Sequence, residues 1–403
     1  MKRLFNTTLI ATMAFIALSA IANNAFATEK TVAAKERVIV AYVTSWSRIM
    51  PDPKTMTHIN YAFGHVTNTF DGVRIDNEER LKSIVALKKD NPQLKVMLSV
   101  GGWGSGRFSE MAADDKHRMA FAEDCRRVVD EFNLDGIDID WEYPTSNAAG
   151  ISSSENDTEN FTLLMRDLRK ALGKKYLLTL ASVGSARYID FKAIDKYINF
   201  VNIMAYDMGG APKHHTALYP SKNTNMSSTD AVKAHVEAGV PMHKLVMGMA
   251  FYGRGGKNYP NFQDYKDIPA TSDKYIERWD DEAKAPYLTD LQGNFVFGFE
   301  NPRSLAGKCR YVLENGMKGA MYWDYDGDNE AGDLRNTVYQ GILGTPIPDE
   351  ELLEQTLTTT SKDCPRRAHD TSSFGLDRAR RPPQRLYRCS DGLVEQLRQR
   401  EWL

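Results

Sequence analysis

The sequence predicts an α/β protein built as a (β/α)8 (TIM) barrel, with a small α+β insertion between strand 7 and helix 7. Three observations carry that prediction. Eight short apolar runs alternate with longer segments of helical period, the pattern of parallel strands joined by crossover helices. Several runs are nearly continuous in Val, Ile, Leu and Met, as strands covered on both faces should be. The 403 residues, 42% hydrophobic and 26% charged, suit one large core better than two small ones.

In order, the runs are Val38–Val43, His58–Phe63, Lys95–Val100, Gly136–Asp140, Tyr176–Ser182, Phe200–Tyr206, Leu245–Tyr252 and Gly319–Trp323. Helical segments such as Glu78–Lys89 and Asp115–Phe132 separate them. Eight units favour a closed barrel over residues 37–344, and an open doubly wound sheet is the alternative that counting leaves standing. The connection after the seventh run is the longest. Its residues 253–298 include Tyr259, Tyr265, Tyr275, Trp279 and Tyr287, expected mostly to pack the insertion's own core at the C-terminal rim.

Lys2 and Arg3, an apolar stretch from Leu9 to Ala22, and then Ala25-Phe26-Ala27 make residues 1–27 read as a signal peptide. The rival, an uncleaved anchor, is disfavoured because the run is shorter than the roughly 20 residues a spanning helix needs. A secreted protein, extracellular or periplasmic, is expected, with no membrane attachment after cleavage. Residues 345–403 form an extension, Arg-rich and without strand pattern from about Ser361, for which disorder is expected. A formal net charge of -2 gives no field that would draw the chain to nucleic acid or anionic lipid, whereas a neutral polymer is compatible with it. Monomer is the default.

Cys125 and Cys309 fall in helical segments and Cys364 and Cys389 in the extension, a pattern of incidental thiols rather than of a disulfide framework or a metal site. No cofactor and no metal are expected.

The chemistry concentrates in Asp135-Gly136-Ile137-Asp138-Ile139-Asp140-Trp141-Glu142-Tyr143-Pro144. Extended backbone sends Asp138, Asp140 and Glu142 one way and Ile137, Ile139 and Trp141 the other. The apolar set belongs against the helices, so the carboxyls line the inside and Glu142 emerges at the C-terminal mouth. Like charges that close cannot all ionise, so at least one carboxyl should hold a proton near neutral pH, as an acid acting on a leaving group must. An exposed acidic strand would not need Ile-x-Ile-x-Trp on its other face. A calcium site would need a Gly turn and further oxygen ligands.

This segment resembles glycoside hydrolase family 18, whose DxxDxDxE pattern is complete as Asp135, Asp138, Asp140 and Glu142, and its Trp-Glu-Tyr-Pro is similar to the chitinase branch. Ser99-Val100-Gly101-Gly102-Trp103, Met204-Ala205-Tyr206-Asp207, Phe251-Tyr252-Gly253-Arg254 and Trp323 match further family motifs, in order, at the ends of predicted strands. The resemblance implies hydrolysis of β-1,4-N-acetylglucosamine linkages with retention, in which the substrate's own acetamido oxygen attacks C1. It implies Glu142 as acid/base, Asp140 and Asp138 as a proton-sharing pair that orients the acetamido group, Tyr206 on the acetamido oxygen, and Asp207 setting the acidity of Glu142. Tyr42 and Ser99 would hydrogen-bond the inner aspartates, Trp323 would floor the scissile sugar, and Trp103 would form a leaving-group platform. Phe63, Met204, Tyr252 and Arg254 complete the expected substrate-binding set. An endo-β-N-acetylglucosaminidase acting on the N-glycan core and a non-catalytic chitin-binding lectin are the alternatives. Asp207 is followed by Met-Gly-Gly-Ala-Pro where many chitinases carry Trp, and His214-His215 beyond it are expected in a solvated loop.

Overall fold

The computed structural model describes residues 37–257, 259–268 and 274–344. Residues 1–27, expected to be a signal peptide, the extension 345–403, Cys364 and Cys389 lie outside them. In chain order come β1 (Val38–Thr44), β2 (His58–Val66), the short hairpin strand β3 (Val73–Ile75), β4 (Lys95–Gly101), β5 (Gly136–Asp140), β6 (Leu177–Val183), β7 (Phe200–Met204) and β8 (Leu245–Ala250). A second sheet follows, made of β9 (Tyr252–Gly255), β10 (Gln263–Asp264), β11 (Tyr275–Asp280), β12 (Ala285–Asp290) and β13 (Phe295–Gly298), and β14 (Gly319–Trp323) then completes the barrel. Because β1 pairs in parallel with both β14 and β2, the eight-stranded sheet has no free edge between them, and the open-sheet alternative falls.

All eight apolar runs became barrel strands. The alternation on β1 shows how: Val38, Val40 and Tyr42 pack inside with Phe63, Phe200, Val246 and Met321, while Ile39, Ala41 and Val43 join the outer layer under the helices. The helix Asp115–Glu131 starts where Asp114 caps it by accepting from the Lys116 and His117 amides, and it buries Phe121, Cys125 and Val128. The segment expected to be helical over Glu78–Lys89 is an α-helix to Ala86 that tightens into a 3-10 turn, Leu87–Lys89. Cys125 and Cys309 are buried free thiols.

The insertion differs from the α+β expectation. Its described residues form five antiparallel strands and one 3-10 turn, Tyr265–Asp267, with no α-helix among them. Aromatic residues favour a pleated, half-buried surface, and here Tyr287 stacks on Phe295 between β12 and β13 at 4.6 Å, while Tyr259, in the loop after β9, packs on Phe297 at 4.3 Å. Leu288, Phe297 and Phe299 form the insertion's core, with Tyr259, Tyr265 and Tyr275 against it.

A fully buried ion pair ties the end of the insertion to the barrel. Lys308, on the helix Pro302–Glu314, bonds Glu300, the Thr216 carbonyl (2.6 Å) and the Thr216 hydroxyl (2.8 Å), and Ser304 Oγ donates to Glu300 Oε2 at 2.5 Å. Removing one partner would leave the other charge uncompensated in the interior. Glu300→Ala should therefore lose about 3–5 kcal/mol of stability by chemical denaturation, and the double change Glu300→Gln, Lys308→Met should recover most of it.

Candidate active site

β5 delivers the carboxyls as its alternation requires. Asp138 and Asp140 are buried inside the barrel, at 0% and 4% exposure. Ile137, Ile139 and Trp141 lie in the outer core, where Trp141 stacks on Phe108 at 5.3 Å. Asp135, out of phase with the other three, sits at the opposite end of the strand. Its carboxylate accepts from the Val96 amide (2.9 Å) and pairs with Lys88 (2.5 Å) and Lys95 (3.2 Å), so it pins β4 to β5 and takes no part in the site.

Asp138 is saturated. Tyr42 OH and Ser99 Oγ each donate to Oδ2 at 2.8 Å, and Thr179 Oγ1 (2.6 Å) and Asn202 Nδ2 (3.1 Å) donate to Oδ1. Burial raises its pKa above the ordinary carboxylate value, and these four donors oppose the rise by solvating the anion. Tyr42 and Ser99 thus stand where the sequence placed them. Thr179 and Asn202 were missed, although both sit at inward-facing positions of β6 and β7.

Asp140 has no such support. Its Oδ1 is buried without a hydrogen-bond partner, and burial, then the charges of Glu142 and Asp138, push its carboxyl well above the ordinary range, so it holds a proton at rest. Glu142, just past the strand, is raised to about 7: burial raises it, the Tyr143 hydroxyl hydrogen-bonded to it lowers it, and the Asp207 charge raises it again. β5 and the residue just past it therefore present an aspartate whose upward shift four donors oppose, an aspartic acid pushed well above the ordinary range, and a glutamic acid raised to about 7.

Asp207 is the fixed anion. Arg254 Nε and Nη2 bond its two oxygens at 2.7 and 2.6 Å, His215 Nδ1 lies 3.5 Å from Oδ1, and the Asp207 amide points at the same nitrogen at 3.4 Å. Burial alone would raise Asp207, but Arg254 and His215 hold it well below the usual carboxylate range. His214 and His215 are both buried rather than solvated, which corrects the expectation for this loop. His214 lies edge-on to Tyr287 and Phe295 with Nε2 3.3 Å from Asp280, and His215 packs against Tyr252 at 5.2 Å. The pair reads as polar in sequence, and only the insertion that covers it explains the burial.

Rings line the rest. Trp323 stacks on Phe63 (5.6 Å, 19°) and tilts against Tyr42 (5.7 Å), with Met204 and Tyr206 beside the same cluster. Tyr206 meets Tyr252 at 6.0 Å, and its hydroxyl lies 3.8 Å from Met321 Sδ. Trp103 stands apart, 50% exposed and edge-on to Tyr143 at 6.4 Å. The glycines before it are required: a Cβ on Gly101 (φ 131°) would stand 1.9 Å from the Asp140 carbonyl, and one on Gly102 (φ 94°) 2.7 Å from the Phe63 ring. Among the described residues no group of three or more His, Cys, Asp or Glu is arranged to hold a metal ion.

The raised Glu142 value has a thermodynamic consequence. A carboxyl at about 7 when folded and 4.5 otherwise binds its proton more tightly in the folded state, so the stability it contributes is full below 4.5 and is lost as pH rises through about 7. Glu142→Gln, which carries no charge, should melt with the wild type near about pH 4 and be the more stable by roughly 1–3 kcal/mol near about pH 8, as read by thermal unfolding across that range.

The geometry agrees with what the chain is similar to. Residues 38–328 match the model of "Glycosyl hydrolases family 18". Chitinase A1 of Niallia circulans is 33% identical over 71% of this chain and 47% of its own length, so the chain spans about half of that relative. Chitotriosidase-1 of Mus musculus is 31% identical over 80% of this chain and 79% of its own. The solved structure of a family 18 N-acetylglucosaminidase from Paenibacillus barengoltzii aligns with a TM-score of 0.70 at 36% identity, over 76% of this chain and 99% of that one. This chain belongs to glycosyl hydrolase family 18 and is a glycoside hydrolase.

Proposed function

We propose that the protein is a chitinase that cleaves β-1,4-N-acetylglucosamine linkages with retention, the substrate's acetamido oxygen serving as nucleophile. The observation that carries this reading is the state of the carboxyls. Asp138 is held by four donors, Asp207 by Arg254, and Asp140 is neutral, so none is a free anion available to attack C1, while Glu142 keeps a proton near neutral pH. A retaining reaction without an enzyme nucleophile needs one from the substrate.

In this reading Glu142 protonates the departing oxygen. Asp140, whose Oδ1 has no protein partner, accepts a hydrogen bond there from the acetamido N–H and shares its own proton with Asp138, while the proton given to the leaving group is that of Glu142. Tyr206 holds the acetamido oxygen, and Trp323 lies under the scissile sugar. Holding the acetamido arm in line supplies the proximity that makes intramolecular attack competitive. Glu142 then acts as base toward water, which opens the oxazolinium ion with retention.

The names of the relatives support the substrate, and the N-acetylglucosaminidase among them favours a second reading, release of single N-acetylglucosamine units from a chain end. The presence of Glu142 argues against a lectin, and the insertion argues against an N-glycan-core enzyme. No helix among the described residues is long and apolar enough to cross a membrane. Secretion, extracellular or periplasmic, rests on residues 1–27 alone, and a neutral polysaccharide as partner rests on the charge balance.

Glu142→Gln should lower turnover of an aryl chitobioside by about 10²–10⁴-fold with chitohexaose binding retained, and binding without cleavage by the wild type would replace the hydrolase reading with the lectin one. The products from chitohexaose separate internal cleavage from release of single units. Because the Asp207 charge raises Glu142, Asp207→Asn should lower it, and the alkaline limb of kcat/KM, near about pH 7 in the wild type, should move to lower pH by up to about one unit.

A further inference from the structure

Trp103 stands on a turn that ought not to hold still. Glycines occupy 101, 102, 104 and 106 around it, and half of its surface is exposed, so neither backbone stiffness nor packing fixes the ring. Its contact with Tyr143 is edge-on at 6.4 Å. The order of this turn must come from its ends.

The first end is tied to the catalytic strand, where the Gly102 amide donates to the Asp140 carbonyl at 2.9 Å. The other end is Ser105. Its amide closes the turn onto the Gly102 carbonyl (2.9 Å), and its hydroxyl bonds His65 Nδ1 at 2.8 Å. His65 Nε2 bonds Asp76 Oδ2 at 2.9 Å. Asp76 is itself fixed to β2, its amide on the Phe63 carbonyl (3.0 Å) and its own carbonyl under the Tyr61 hydroxyl (2.9 Å), and Arg74 pairs with its other oxygen. The line Ser105, His65, Asp76 thus runs from the turn to the barrel wall.

We infer that His65, oriented by Asp76, is a positioning residue that holds the Trp103 turn through Ser105 and so sets how firmly the leaving-group side of the groove grips a sugar. The inference rests on the proposed role of Trp103 as a sugar platform. With the Nε2–H donated to Asp76, Nδ1 of the neutral ring accepts from the Ser105 hydroxyl. The Ser-His-Asp line resembles a nucleophile and its base, but the Ser105 amide is spent on the Gly102 carbonyl and is not free to stabilise an oxyanion, so holding rather than acyl transfer is what this geometry does.

Two readouts separate the clamp from the substrate reading. Amide hydrogen exchange over residues 102–107 should quicken by about fivefold or more in His65→Ala and in Ser105→Ala, as expected for one lost hydrogen bond, whatever the substrate. Unchanged exchange overturns the clamp. In kinetics, both variants should lose about fivefold in kcat/KM on chitohexaose, through KM, while an aryl chitobioside, whose leaving group is not a sugar, stays within about twofold. His65→Asn, which keeps an amide toward Ser105, should recover part of the loss, and His65→Ala should add nothing to Trp103→Ala. Equal losses on both substrates, or full additivity with Trp103→Ala, would show that His65 acts elsewhere. If the wild type cleaves neither substrate, the chitinase reading falls, and exchange alone decides the clamp.

Discussion

Lining up three carboxyls, two on the inner face of β5 and Glu142 just past its end, is the constraint around which this molecule is arranged. Two of them lie inside a barrel where water cannot solvate them, and ionising all three would cost far more than the fold can offset. The interior resolves this unequally. Four hydroxyl and amide donors from β1, β4, β6 and β7 converge on Asp138, and none reaches Asp140 Oδ1. The asymmetry favours charge on the first aspartate over the second, whose carboxyl is pushed well above the ordinary range, and Glu142 beyond them is raised to about 7. Barrel closure is a precondition, because Tyr42 and Asp138 meet only when β1 and β5, 96 residues apart, face one interior.

Much of this was legible in the sequence because it depends on a period. The eight strands follow from apolar runs bounded by helical segments, and the inward set Asp138, Asp140, Glu142 follows from alternation in five residues. The parity that unites those three also excludes Asp135, which ends up pinning β4 to β5 at the far end. Glycines 101 and 102 were visible as a motif, but the reason for them, the Asp140 carbonyl and the Phe63 ring pressed against their missing side chains, is a tertiary distance that no local pattern carries.

What escaped the sequence was what depends on which surface is covered. Asn202 and Thr179 sit at positions whose inward direction could have been read, but their target becomes definite only with the register between strands. His214 and His215, next to glycines and a proline, have the composition of an exposed loop. The insertion's strands carry aromatic residues that pack on one another once the strands pair, yet from composition it passed for a mixed subdomain.

The insertion also explains why that loop is ordered, and with it the position of Asp207. It grips the chain after Asp207 in three places: Arg254 on β9 takes both carboxylate oxygens of Asp207, Asp280 at the end of β11 takes His214, Ser221 and Asn223, and Glu300 just beyond β13 takes Thr216, which Lys308 also holds. The same hydroxyl lies 2.9 Å from the carbonyl of Ala205, the residue before Tyr206, so its one proton is shared between that carbonyl and Glu300. The segment that carries Tyr206 and Asp207 is therefore fixed from outside the barrel as well as from β7. An anion that raises Glu142 by proximity is useful only if its distance is constant and its own charge never lapses. A bidentate guanidinium on a paired strand, with a buried imidazole at its side, meets both conditions, so the insertion holds in place the charge that acts on Glu142.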